Sequence, residues 1–428
     1  MPRIILHSDC NGFYAAVECL YRPEIRNKPV VVGGDESLRH GVVLAANQLA
    51  KRIYKVKTGE ALIHVRQRCP DLIIVKPNHK LYLRFAKLAR EIYNDYTDQV
   101  EPFGLDESFI GLTGIAESVG DGERIADTIR ERIKYELGIT VSIGVSYTKS
   151  FAKLASDMRK PDFTTVIAPD EFRQKVWPQP VGDLIYVGAA SAEKLRLHGI
   201  HTIGDLAGSK REDIISWIRN KNGGLLWDYA NGFDSSVVRQ FEECMNDDSG
   251  IKGFSHSTTT PRDLCNADDM KVTVMVLAEA VAARLREHKR LSKTVSLWLR
   301  DNKMSAFTRQ CKTAAPTNLA YEIAETAMKL YHACYGSLGN PGSTLLPIRS
   351  VGVRASDLVR EEEYYQLSFL PKEHKRQNIM AIERAMDDIR ERYGHTAISR
   401  GVLIRDRALG SDNPKEDHIH TFPNCQGA

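Results

Sequence analysis

A chain of 428 residues, 42% hydrophobic and 27% charged, holds material for roughly two to four folded domains and is no disordered or collagen-like chain. No apolar run is long enough to span a membrane, the opening "MPRIILHSD" lacks the apolar stretch of a secretory leader, and eight scattered cysteines without a CxxC pair point to reduced thiols in a cytoplasm rather than to a disulfide frame or a zinc site. The net charge of +4 says little, but residues 251–350 carry 14 Lys and Arg against 8 Asp and Glu, an excess suited to phosphate backbones.

In chain order, "RIILHSD" predicts a strand with Asp9 at its end, and "FYAAVECLY" a helix after it. "KPVVVGG" reads as a strand closed by glycines, and "AANQLAKRIY" as a short helix. "HKLYLRFAKLAREIYNDYT" is amphipathic, with Leu81, Phe85, Leu88 and Ile92 at helical spacing. "FGLDESFIGLT" is strand-like on both sides of Asp106 and Glu107. A helix, "GERIADTIRERIKYEL", a strand, "ITVSIGVSY", and a helix, "KSFAKLASDM", lead to Lys160-Pro161. This order predicts a sheet with antiparallel pairs, backed by helices.

Residues 169–233 read as a small helical domain, with two short helices joined through Gly188 and then Gly199. Such glycine turns let backbone N–H groups approach a phosphate. "CMNDDSGIKG" has no periodicity and reads as a linker. A second β-α-β-β-α-β pattern follows, with a helix over 269–289 carrying Val272, Val276, Ala280 and Ala283 on one side. Its strand "TVSLWLR" puts Val295, Leu297 and Leu299 on one face. From about 357 the chain turns charged ("REEEYY"), then apolar ("QLSFL"), then helical ("KRQNIMAIERAMDDIRERYG").

Acidic residues beside apolar strands are costly unless a cation compensates them. Taken alone, Asp9, Asp106 and Glu107 read more readily as surface or turn residues. Converging from separate strands, they suit two Mg²⁺ ions and phosphoryl-type transfer.

Several strings in order give the chain a close resemblance to the Y-family lesion-bypass DNA polymerases of the UmuC and DNA polymerase IV type. They are "DCNGFYAAVE", "GVVLAANQLAKRIYKVKTGE", "FGLDESF", "VSIGVSYTKSFAKLASDMRKP", "GAASAEKLRLHGIHTIGDLA" and "STTTPRDL", spread over roughly residues 3–370. The resemblance implies an α+β, right-handed polymerase: palm (1–20 and 78–168), small fingers (21–77), helix-hairpin-helix thumb (169–233), linker (234–250) and α/β little finger (251–356). A C-terminal tail over 357–428, with a peptide and a helix, completes it. It implies two Mg²⁺ ions held by Asp9, Asp106, Glu107 and the carbonyl of Cys10. It also implies a nucleotide site at Phe13, Tyr14, Gln48, Lys51 and Lys160, with Tyr14 as the steric gate against ribose. Gly188 and Ala190 are the DNA-contacting positions of the hairpin.

Two departures from the family pattern stand out. Gln48 and Lys51 replace a frequent Tyr and Arg, which loses the bidentate fork of Arg. Ala190 takes the place of a frequent glycine. Gln366, Leu367, Ser368, Phe369 and Leu370 resemble the pentapeptide that binds the bacterial sliding clamp. Partners implied are primer-template DNA, dNTPs, that clamp and SOS-response accessory proteins, with no membrane. The activity implied is template-directed, low-fidelity translesion synthesis, and no exonuclease segment for proofreading is recognisable. A palm-domain nucleotide cyclase and a non-catalytic DNA-repair scaffold are the rival readings, and template dependence and primer extension separate them.

Overall fold

The computed structural model describes residues 3–35, 39, 41–218, 222–246, 251–336, 345–364 and 371–410. They fall into two compact units, one reaching from the N-terminus to residue 250 apart from 34–42, the other running from 251 onward.

The first unit holds eight strands in chain order: β1 Ile5–Cys10, β2 Val30–Gly33, β3 Val43–Ala46, β4 Ile73–Val75, β5 Val100–Pro102, β6 Glu107–Gly111, β7 Val141–Ser146 and β8 Thr164–Ile167. Five form a sheet of order β5-β6-β1-β7-β8, in which β1 is antiparallel to both neighbours and β7 pairs parallel with β8. All six residues of β1 are buried, as befits a central strand covered on both faces. Leu6 and Cys10 join a core with Phe13, Tyr82 and Ile129. Ile5 packs on the opposite side with Phe109 and Ala152. Strand alternation puts His7 and Asp9 on that second side.

The helix Lys149–Met158 covers that side. Thr148 caps it by accepting from the N–H of Phe151 at 3.2 Å. It lies unusually close to the sheet because β7 carries Gly144, where a Cβ would meet the Ala152 carbonyl oxygen at 2.0 Å and the Ser156 nitrogen at 2.5 Å. The other three strands form a small sheet, β3-β2-β4. Its Val31 face has a core of its own with Val43, Ala50, Leu62 and Val65, whereas Val30 and Val32 turn into the larger core. Asn47 fixes the helix Gln48–Tyr54 to this sheet, its side-chain oxygen accepting from Ala50 at 3.0 Å and from Val30 at 3.2 Å.

A group of helices follows in the first unit: Ala189–Leu197, Ile203–Gly208, Arg211–Trp217 and Asn222–Ala230. They enclose Leu195, Ile203, Leu206, Ile214 and Leu226. The hairpin turn lies at Gly199 (φ +80°), and Gly188 stands ahead of the first helix instead of between the two. Part of the expected linker is structured. Asp234 accepts from the N–H of Ser150 at 3.1 Å, and the buried Glu101 accepts from the N–H of Arg239 at 2.8 Å and from Lys149 at 2.5 Å. A short helix covers Phe241–Asn246.

The second unit has the expected β-α-β-β-α-β order. Its strands are β9 Gly253–Leu264, β10 Arg290–Asp301, β11 Ala306–Thr317 and β12 Ile348–Arg360. They form an antiparallel sheet of order β11-β10-β12-β9, and helices Ala267–Glu287 and Ala320–Tyr335 complete the pattern. Val295, Leu297 and Leu299 are buried against the helices. The alternate residues Ser255, Ser257, Trp298, Thr308, Gln310 and Arg354 line an open groove.

The tail helix expected from sequence spans Pro371–Tyr393. An ionic seam joins it to the helix Ala267–Glu287. Glu383, 1% exposed, takes Arg286 and Arg400 at 2.6 Å each, and Arg286 also reaches Asp387 at 2.6 Å. Glu279, 4% exposed, takes Arg400 at 2.5 Å and Arg390 at 2.9 Å. No helix among the described residues is long and apolar enough to cross a membrane.

Candidate functional site

Antiparallel pairing of β1 with β6 sets Asp9 directly opposite Glu107. Asp106 stands in the bend just before β6, and its carbonyl oxygen accepts from the N–H of Cys10 at 3.1 Å. The backbone thus brings the three predicted acids and the Cys10 peptide to one end of the sheet. The Cys10 side chain itself is buried in the core, and burial, followed by the charges of Asp106 and Asp9, pushes its thiol well up.

The acids are not equally compensated. Lys153 Nζ lies 3.3 Å from Asp9 Oδ2 and 3.0 Å from Glu107 Oε2, and Lys160 Nζ lies 2.7 Å from Asp9 Oδ2. Asp157 ties both lysines together, at 3.1 and 2.6 Å. Burial alone would raise Glu107, but His7 and Lys153 beside it hold its carboxyl well below the usual range. Among the described residues no cation pairs with Asp106. Burial, then the charges of Asp9 and Glu107, lifts its carboxyl to about 7. Oxygen donors short of positive charge fit a hard divalent cation. Among the described residues no three His, Cys, Asp or Glu side chains are drawn tightly enough around one point to enclose an ion.

The predicted nucleotide residues divide. Tyr14, half-buried, lies flat on Tyr82 at 4.2 Å and 8° and meets His79 edge-on at 6.2 Å. Burial and then the Asp106 charge push its phenol up to about 12, so it borders the acids. Phe13 is 2% exposed and turns into the core behind it. Gly12 (φ +59°) starts their helix, and a Cβ there would meet the Ala46 carbonyl oxygen at 2.8 Å. That close approach brings the small sheet in, and with it Lys51, whose Nζ comes within 4.0 Å of the same point. Burial and Lys160 lower the Lys51 pKa, while Asp9 and Asp106 oppose them. Gln48 opens the same helix. Gly188 and Ala190 are exposed at the start of the helix Ala189–Leu197, whose Ala192 and Leu195 pack into a core separate from that around the acids. Gln366, Leu367, Ser368, Phe369 and Leu370 lie outside the described residues.

Sequence reasoning missed His7, Lys153 and Tyr82. For Lys153 a signal was present: Lys153 and Asp157 stand four residues apart on one helix face, and Lys160 follows just past the helix end. Tyr82 looked like an ordinary core aromatic, and His7 like part of a strand.

Residues 8–157 match the impB/mucB/samB family, and residues 251–369 match its C-terminal domain. The chain is 44% identical to a DNA polymerase IV of Acetivibrio thermocellus, over 96% of its own length and 99% of the relative's. It is 32% identical to a DNA polymerase IV of Clostridium acetobutylicum, over 94% and 99%. A solved Y-family DNA polymerase chimera superposes with a TM-score of 0.68 at 19% identity, covering 83% of this chain and 99% of the other. That likeness shows the fold, a mixed α+β architecture of the palm, fingers and thumb kind.

Proposed function

The chain belongs to the Y family of DNA polymerases, in its impB/mucB/samB branch, and from that premise we propose how its residues divide the work of template-directed, low-fidelity DNA synthesis. Asp9, Asp106 and Glu107, with the Cys10 carbonyl, would hold two Mg²⁺ ions. When bound, such ions supply Lewis-acid activation of a primer hydroxyl and stabilise a leaving pyrophosphate. The observation that carries this reading is the registry of Asp9 against Glu107, with Asp106 beside them and short of a cation.

The other residues act as orienting and excluding groups. Lys160 and Lys51 hold the triphosphate of the incoming dNTP as point charges, Gln48 adds a hydrogen bond, and neither lysine offers the planar fork of Arg. Tyr14 excludes a ribose 2′-hydroxyl by clash, because Tyr82 leaves its ring no room to tilt, and Phe13 backs it from the core. The Gly188 and Ala190 end of its helix offers backbone N–H groups to a DNA phosphate. The groove with Arg354, on a basic segment, takes the DNA backbone. In this reading residues 1–20 and 78–168 are palm, 21–77 fingers, 169–233 thumb and 251–356 little finger. Gln366 to Leu370 engage a bacterial sliding clamp, and SOS-response proteins are the regulatory partners.

Asp9→Ala and Asp106→Ala test it. Both variants fold and bind primer-template DNA, and both lose Mg²⁺-dependent primer extension by at least about a thousandfold. Parental extension by either folded variant refutes the assignment.

A further inference from the structure

His7 has no task in the reaction as assigned above, yet it lies at the base of the acidic cluster. It is 0% exposed and stands two residues before Asp9 on the same side of β1. Phe109 and Phe103 bound its ring edge-on at 4.8 and 6.1 Å. Its Nδ1 lies 2.9 Å from Ser156 Oγ. That hydroxyl is also 2.8 Å from the Lys153 carbonyl oxygen, which can only accept. A hydroxyl has one proton to give. With that proton given to Nδ1, the neutral ring carries its own hydrogen on Nε2, the edge that faces the Glu107 carboxylate.

The opposite edge of the ring, Nε2, lies 3.2 Å from Glu107 Oε2, off the line of a well-aligned hydrogen bond. The same carboxylate oxygen is 3.0 Å from Lys153 Nζ. The contacts therefore close a loop: Glu107, His7, Ser156, the Lys153 backbone, the Lys153 side chain, and back to Glu107. An apolar side chain would fill the space between the two phenylalanines without the cost of burying an imidazole. Packing alone gives no reason for a histidine here.

We propose that His7, braced by Ser156, is a positioning residue that sets the direction of the Glu107 carboxylate. A glutamate side chain has three rotatable bonds, and Lys153 pulls on it from one side. The imidazole closes the inward side, so the carboxylate is presented at the sheet end beside Asp9 and Asp106. The inference rests on the reading of Glu107 as a member of the acidic triad.

The test uses the full chain and four variants: His7→Leu, His7→Gln, Ser156→Ala and Glu107→Gln. Single-turnover incorporation is measured over a dNTP series, with primer-template affinity and melting temperature alongside. His7→Leu lowers the maximal rate roughly tenfold or more, in line with other outer partners of metal-binding groups, while apparent dNTP and DNA affinities stay within about twofold. Ser156→Ala gives a smaller loss of the same kind. His7→Gln, whose amide offers polar atoms to both partners, recovers most of the rate. Mn²⁺ titration followed by electron paramagnetic resonance shows weakened binding in His7→Leu. Parental rates in His7→Leu and Ser156→Ala, beside a slow Glu107→Gln, overturn the positioning role alone. A parental rate in Glu107→Gln overturns the triad reading with it. Joint loss of rate, affinity and melting temperature without rescue by Gln means a merely structural His7, and also overturns the proposal. If His7→Leu does not fold, Ser156→Ala, which removes one oxygen and leaves the ring in place, decides the matter.

Discussion

Asp9 and Glu107 each have a lysine within ion-pair distance, whereas the neighbouring Asp106 has a carboxyl lifted to about 7. That difference has a measurable sign. An unfolded aspartate titrates near 3.9, so between about pH 4 and 7 the folded chain holds a proton that the unfolded chain has released. The group's contribution to stability is full below about pH 4 and is lost as pH rises through 7. In chelator, then, the protein loses stability across that window, and Asp106→Asn removes this loss. The Asn variant is more stable than the parent at pH 8, by about 1–3 kcal/mol after solvent screening, and equally stable at pH 4. Parallel melting curves against pH would exclude the strained carboxylate. Tyr14 gives a second residue-scale expectation. Tyr14→Ala raises rNTP use relative to dNTP by roughly tenfold or more, read from competition kinetics, and Tyr82→Leu gives a smaller change of the same sign. Unchanged competition in both folded variants would place the gate elsewhere. The acids were legible in the sequence because a carboxylate beside an apolar strand breaks the pattern. Tyr82 breaks no pattern, since an aromatic on an apolar helix face is what any amphipathic helix shows, and Lys153 is marked only by its spacing to Asp157.

At the scale of elements, the site depends on how closely the helix Lys149–Met158 lies on β7. Gly144 permits that approach, and the helix delivers Lys153 to the acids and Ser156 to His7. Gly144→Ala places a methyl where the Ala152 carbonyl and the Ser156 nitrogen already stand, and both are backbone atoms that cannot swing aside. We expect it to cost about 1–3 kcal/mol or more in urea denaturation, with primer extension falling further than stability alone accounts for. Parental stability would mean the helix shifts without penalty. Long, periodic elements were readable in advance: β1, β7, the helix His79–Asn94 and the helix Ala267–Glu287 all have enough residues to show a period. The three- and four-residue strands β4, β5 and β8 were not, because alternation cannot register over so few positions. Gly199 rather than Gly188 makes the hairpin turn, and the structural reason is its positive φ, which a sequence pattern of two glycines does not distinguish.

The whole molecule joins two compact units with separate cores, and the second reaches beyond its sheet into the tail. The sequence announced a helix after residue 371 but not what it rests on. Glu383, Asp387 and Arg390 look like the solvated face of an exposed helix, and only the fold brings Arg286, Glu279 and Arg400 against them. Buried ion pairs of this kind add little net stability when whole, yet removing one partner leaves a charge in a dry site. Glu383→Gln leaves Arg286 and Arg400 facing an uncharged amide, and that loss falls on the second unit alone. Calorimetry of the parent should show two transitions, since each unit carries its own core. In Glu383→Gln one of them drops by about 3–5 kcal/mol while the other stays in place. The transition that carries the polymerase site is identified independently by Gly144→Ala, which moves only the first unit. A single transition that shifts as one body in both variants would show that the units unfold together. An unmoved pair in Glu383→Gln would show that solvent, rather than the seam, already satisfies these charges.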